Sequence, residues 1–150
     1  MVWGTQDTKS ELDNTFYSII DTGSTALMIS SLYYEAYIQQ IMARVPDVFW
    51  EYKNDLVYTD CAAEFPKLWF MFDQRWLEVD PKDYVQPTDD SEETCILFIL
   101  PIDLAMNILG MPLLVDYYSI HDPIKGTIGI APHSASNKAN VSSGPIPPKE

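Results

Sequence analysis

Positive charge is scarce in this chain: nine Lys and Arg stand against 22 Asp and Glu, a formal charge of −13 over 150 residues. A field of that sign repels phosphate backbones and anionic headgroups, which argues against nucleic acid or anionic membranes as partners. No apolar run reaches about eighteen residues, so no membrane insertion is expected. The opening Met1-Val2-Trp3-Gly4-Thr5-Gln6-Asp7 lacks a basic segment followed by an apolar one, so no signal peptide is expected in the chain. Two cysteines and two well-separated histidines are too few for a zinc site, and neither metal nor cofactor is expected. No internal repeat is visible.

Apolar residues make up 47% of the chain, including nine Tyr, six Phe and four Trp. That is enough for a packed core, and the length suits one domain. An acidic surface sheds charge and self-repulsion near about pH 4 to 5, which fits an acidic compartment. Cys61 and Cys95 can be two free core thiols or one disulfide, and a pair bracketing one segment of an acidic chain reads better as a disulfide.

The chain is organised around Ser18-Ile19-Ile20-Asp21-Thr22-Gly23-Ser24-Thr25. A short β-branched run feeds a carboxylate into a Thr-Gly-Ser-Thr turn, the pattern of a strand that ends by presenting an acid. On its own, Asp-Thr-Gly is also an ordinary loop or helix cap. Ala26–Ser30 reads as a buried strand, followed by a helix of about a dozen residues with Ser30-Ser31 at its start and Glu35 in its first turn, ending before Pro46. Val48–Trp50 and Leu56–Tyr58 flank a loop at 51–55, and Phe65–Phe72 and Arg75–Val79 form a hairpin across Asp73-Gln74. Residues 81–93 read as an acidic surface loop. Strands are expected at Thr94–Leu100, Asn107–Gly110, Leu113–Ile120 and Thr127–Ala131, and from His133 onward the composition predicts a flexible Ser/Asn/Pro-rich tail.

Five elements in this order resemble the C-terminal lobe of a pepsin-like aspartic protease: Ile19-Ile20-Asp21-Thr22-Gly23-Ser24, a cysteine loop holding Phe65-Pro66-Lys67-Leu68, Ile108-Leu109-Gly110, Tyr117-Tyr118-Ser119-Ile120-His121-Asp122 and Ile128-Gly129-Ile130-Ala131. The resemblance covers about residues 15–132. It implies a mainly β lobe, closed and barrel-like with orthogonal packing, carrying one or two short helices; residues 1–14 are then a partial upstream hairpin and 133–150 the tail. Asp21 resembles one of the two catalytic aspartates. Thr22 resembles the residue whose hydroxyl bonds to the other lobe, Gly23 the one whose N–H supports the carboxylate, Ser24 the hydroxyl on its outer oxygen, and Gly110 the glycine of the supporting strand. Ile19, Thr25 and Ile108 fall where substrate is bound, and Cys61 and Cys95 where that lobe carries a disulfide.

Peptide hydrolysis without metal or covalent nucleophile needs one ionised carboxylate to take a proton from water and one neutral carboxylic acid to protonate the carbonyl. This chain has a single Asp-Thr-Gly, so the resemblance implies half of a catalytic pair. The expected partners are a complementary N-terminal lobe carrying the second aspartate and a peptide or protein substrate; a self-dimer is the lesser alternative. Met111-Pro112 stands after Gly110, where the family commonly has an acidic residue. The competing reading is a non-catalytic lobe serving as an assembly or binding module. The expected setting is the secretory route, either an acidic lysosome- or vacuole-like compartment or the extracellular space. His121 and His133 read as bystanders, Ser24 as a hydrogen-bond donor rather than a nucleophile, and Asn140-Val141-Ser142 as an N-glycosylation triplet meaningful only on that route.

Overall fold

The computed structural model describes the backbone strands Val2–Thr5 and Thr8–Lys9 and all of residues 17–144. Strand β1 (Val2–Thr5) pairs antiparallel with β2 (Thr8–Lys9). The rest of the expected 1–14 hairpin, and residues 145–150 of the expected tail, lie outside the described residues.

The chain continues through β3 (Tyr17–Ile20), β4 (Leu27–Ser30) and helix α1 (Ser31–Met42). On α1, Tyr37, Ile38 and Ile41 are fully buried at helical spacing, and each isoleucine stabilises by about 1.5–3 kcal/mol relative to exposure. Ser30 does occupy the cap position, but its hydroxyl makes no capping bond, and no acidic residue lies in the first turn. Its backbone N–H instead donates to Asn107 Oδ1 at 3.0 Å.

Two hairpins follow, β5 (Trp50–Lys53) with β6 (Leu56–Asp60) and β7 (Leu68–Phe72) with β8 (Arg75–Val79). Asn54 and Asp55 have φ of 53° and 62°, and Asp73 and Gln74 have 44° and 62°. Positive φ at both central residues gives a two-residue turn whose twist matches the strands it joins. The Asp73-Gln74 hairpin is as expected, whereas the 51–55 loop shortens to two residues because Glu51–Lys53 pairs with β6.

Two places read as loop or strand form single helical turns. Helix α2 (Pro81–Tyr84) is capped by Asp80, whose side chain accepts the Lys82 N–H at 2.9 Å. Strand β9 (Val85–Pro87) follows, then β10 (Thr94–Leu97), β11 (Ile99–Ile102) and β12 (Met106–Leu109). Helix α3 (Met111–Leu114) takes Leu113 and Leu114 out of the expected strand. In both helices a proline stands in the first turn, where a missing N–H costs nothing. Strands β13 (Tyr117–Asp122), β14 (Thr127–Pro132) and β15 (Val141–Ser143) are the last described elements.

The domain is mainly β, as expected. Among the described residues there are three helices rather than one or two, and the strands form four sheets rather than a closed barrel: β15-β8-β7-β1-β2, β5-β6-β10-β9, β11-β4-β12-β3 and β13-β14. Leu27, Ile29, Tyr37, Phe70, Leu97 and Leu109 belong to one buried cluster that joins three of these sheets to α1. Cys61 and Cys95 are disulfide-bonded with Cα atoms 5.0 Å apart at a sequence separation of 34; closing a loop of that length contributes about 4 kcal/mol in the chain-entropy account. Where a flexible tail was expected, the chain from 133 returns to the body. Strand β15 pairs with β8, and the Trp76 indole N–H donates to Gly144 O at 3.1 Å.

One sheet sets up the site. In β11-β4-β12-β3 the outer pairs β4/β11 and β3/β12 are parallel, and β4/β12 is antiparallel. Leu109 at the end of β12 stands opposite both Ile20, at the end of β3, and Leu27, at the start of β4. The turn joining β3 to β4 therefore arches over the end of β12.

Candidate active site

Asp21 follows the last residue of β3, and its N–H donates to Leu109 O at 3.1 Å, extending the ladder with β12 by one bond. The turn then closes on its carboxylate. The Gly23 N–H donates to Oδ1 at 2.9 Å and the Ser24 hydroxyl to Oδ2 at 2.7 Å. The Ser24 N–H also reaches Asp21 O at 3.3 Å. Both carboxylate oxygens thus accept a bond from within three residues. The Ser24 hydroxyl first, and the Gly23 amide second, hold the Asp21 pKa below its ordinary value.

The two glycines serve this turn by lacking a side chain. A Cβ on Gly23 would lie 3.2 Å from Asp21 Oδ1, tight against the oxygen that its N–H binds. A Cβ on Gly110 would lie 2.3 Å from Ser24 O and 2.5 Å from Ala26 O, an overlap with backbone that no rotamer relieves. Gly110 is the first residue past β12, under the arch. Directly beyond it the Met111 N–H donates to Ser24 O at 2.8 Å, so the start of α3 holds the turn from below. Met111-Pro112, where the sequence departs from the family pattern, contributes this bond through backbone.

Of the expected site residues, Asp21, Gly23, Ser24 and Gly110 come together. Thr22 and Thr25 are exposed on the turn. Ile19 is 45% exposed, lies two residues before Asp21 on the same side of the chain, and pairs in register with partly buried Ile108 on β12. Tyr17, at the start of the same strand, is 87% exposed. Among the described strands, β3 is an outer strand of its sheet. The polar clamp beneath the site was not foreseen: fully buried Asn107 on β12 holds the junction of β4 and α1 through the Ser30 N–H. Its signal was an asparagine within the apolar run Met106–Leu109.

The histidines are placed at the surface. His121 Nε2 lies 3.2 Å from Ser119 Oγ, its neighbour two residues earlier on β13. His133 stacks on Tyr118 with ring centres 4.6 Å apart. Among the described residues no group of three His, Cys, Asp or Glu side chains is arranged to hold a metal ion, and no helix is long and apolar enough to cross a membrane.

An acidic pair appears that the sequence did not foretell, from the expected loop at 81–93 and the expected strand Leu113–Ile120. Asp83 on α2 accepts the Lys138 ammonium at 3.0 Å through Oδ1, while its Oδ2 is buried without a hydrogen-bond partner, and Asp116 is its acidic neighbour. Asp116 in turn accepts the Ser136 hydroxyl at 2.5 Å.

A mainly β lobe that presents a doubly held carboxylate on a Thr-Gly-Ser turn, over a glycine of a neighbouring strand, has the architecture of an acid protease. Residues 3–133 match the eukaryotic aspartyl protease family, and the chain belongs to that family. No individual curated protein matches it.

Proposed function

We propose that this chain is one half of an aspartic endopeptidase and that Asp21 is its catalytic carboxylate. The observation that carries this reading is the state of Asp21: half-buried at a strand end, with both oxygens oriented by the Gly23 amide and the Ser24 hydroxyl. A carboxylate kept ionised and immobile is what activating water requires. The second carboxyl comes from a complementary lobe docked across the exposed β3 edge, with the Thr22 hydroxyl reaching toward it. Two carboxyls about 3 Å apart share one proton, as is established for aspartic proteases in general. The ionised member takes a proton from water as the oxygen attacks the peptide carbonyl, and the neutral member protonates the carbonyl oxygen. Collapse of the tetrahedral intermediate, with proton transfer to nitrogen, breaks the C–N bond. Ile19, Thr25 and Ile108 line the bound peptide next to Asp21. The family and the Cys61–Cys95 disulfide support a secreted or lysosomal-type setting, and the substrates are extended polypeptides.

The second reading is a non-catalytic lobe that serves in assembly. Exposed Tyr17 and Ile19 on an outer strand of the described sheet favour it, because apolar side chains there suit a covering partner. The discriminating assay is cleavage of denatured haemoglobin near pH 4, about the carboxylate range. It uses the chain with a complementary lobe, with and without a pepstatin-type inhibitor. Inhibitor-sensitive cleavage that disappears in Asp21→Ala is the expected result. A reconstituted two-lobe complex that forms stably yet cleaves nothing would refute the catalytic reading and leave the assembly one.

A further inference from the structure

Asn140-Val141-Ser142 is the chain's only Asn-X-Ser/Thr triplet: Asn14, Asn54, Asn107 and Asn137 all lack the hydroxyl residue two places on. The fold treats the two parts of Asn140 oppositely. Its backbone is clasped, the N–H donating to the Tyr117 hydroxyl at 3.1 Å and the carbonyl accepting from the Glu78 N–H at 3.1 Å. The Tyr117 hydroxyl also lies 2.8 Å from that carbonyl. Its side chain makes no hydrogen bond among the described residues and is exposed. Val141 packs on the core, so strand alternation turns Asn140 and Ser142 away from it. Asn140 borders an open polar cleft of about 500 Å³ whose walls include Lys67, Asp80, Lys82 and Asn137.

We propose that Asn140 is an N-glycosylation site, modified with an oligosaccharide from a polyprenyl-diphosphate donor. In the transfer, Asn140 Nδ2 forms a bond to the anomeric carbon of the sugar and loses one proton. The bond from that carbon to the diphosphate oxygen breaks, and the diphosphate leaves with the electron pair. The Ser142 hydroxyl is the recognition element of the triplet. The proposal rests on the secretory setting argued above, for which the disulfide is an independent marker. It also gives the glycan a physical role. Among the described strands β15 is an outer strand of its sheet, and a bulky hydrated sugar at its entrance hinders pairing of another chain along it.

The test is the intact mass of the full-length protein from its own cells, before and after N-glycosidase, with alkylation to report the state of Cys61 and Cys95. The expected result is a mass above the polypeptide that falls on enzyme treatment and converts Asn140 to Asp. The shift should vanish in Asn140→Gln and Ser142→Ala and persist in Ser142→Thr. Oxidised cysteines on an unmodified chain overturn the glycan and leave the compartment reading intact; free thiols on an unmodified chain overturn both. A shift that survives Ser142→Ala also overturns the assignment to Asn140.

Discussion

Asp21 and Asp83 are two carboxylates of one small domain placed under opposite physical regimes. Asp21 stands half-buried at a strand end with a donor on each oxygen, and its pKa is held down. Asp83 sits between α2 and the returning C-terminal segment, with Lys138 on one oxygen and no donor on the other. Burial pushes its pKa up to about 6, against the pull of Lys138 and with Asp116 adding to the rise. Hydrogen-bond donors decide the first case and desolvation the second. Nearby donors favour the charged form of the Asp21 carboxyl, whereas desolvation between packed segments favours the neutral form of the Asp83 carboxyl.

The sharpest test of this contrast exchanges each acid for its amide. Asp21→Asn should lower cleavage by the reconstituted two-lobe enzyme by about 10²–10⁴-fold, measured as kcat/KM at acid pH. Its denaturant midpoint should shift little, because the amide keeps the shape of the side chain in the turn. A large loss of stability in Asp21→Asn would mean that the two regions do not differ in kind.

Next in size is Gly110→Ala. The added carbon overlaps the Ser24 and Ala26 carbonyls and should cost about 3 kcal/mol, seen as a lower denaturant midpoint at unchanged slope. The damage should centre on the Asp21 turn, with the Asp83–Lys138 pair left in place.

Stability against pH separates the two regions by sign. The folded pKa of Asp83, about 6, lies above its ordinary 3.8, so the native state binds more protons than the unfolded chain between those values. Its contribution is full below about 3.8, lost as pH rises through 6, and on the order of 1 kcal/mol after allowance for solvent screening. Asp83→Asn should flatten that part of the profile. Asp21 acts the other way: its lowered pKa favours the fold above the ordinary carboxylate value, and that contribution is lost as pH falls through the folded pKa. Asp83→Asn leaving the profile unchanged between pH 4 and 6 would remove Asp83 from this account.

The smallest effect is expected from Ser24→Ala. Losing the 2.7 Å bond to Oδ2 should return the Asp21 pKa toward its ordinary value while the Gly23 bond keeps part of the depression, read by NMR titration of that carboxyl.

What was legible in the sequence follows contact distance along the chain. The donors to Asp21 lie two and three residues away, so spacing alone brings them together. The same holds for α1, whose buried face repeats at helical spacing, and for the hairpin at Asp73-Gln74. Pro81 and Pro112 misled because proline marks loops and first helical turns alike, and only capping by Asp80 or packing of Leu113 tells them apart. Lys138 meets Asp83 across 55 residues, and Tyr117 meets Glu78 across 39. No local pattern announces such pairs.

By itself the sequence therefore determined the residue types at the Asp-Thr-Gly-Ser turn, their mutual bonding and the mainly β character, because each depends on a few adjacent dihedrals or on a period of two. The tertiary structure alone decided that Gly110 lies beneath Ser24, that the chain beyond 133 closes onto β8, and that Asp83 loses its solvent. Those outcomes depend on which strand ends meet in space, and burial, unlike a turn, has no meaning until the rest of the chain is in place.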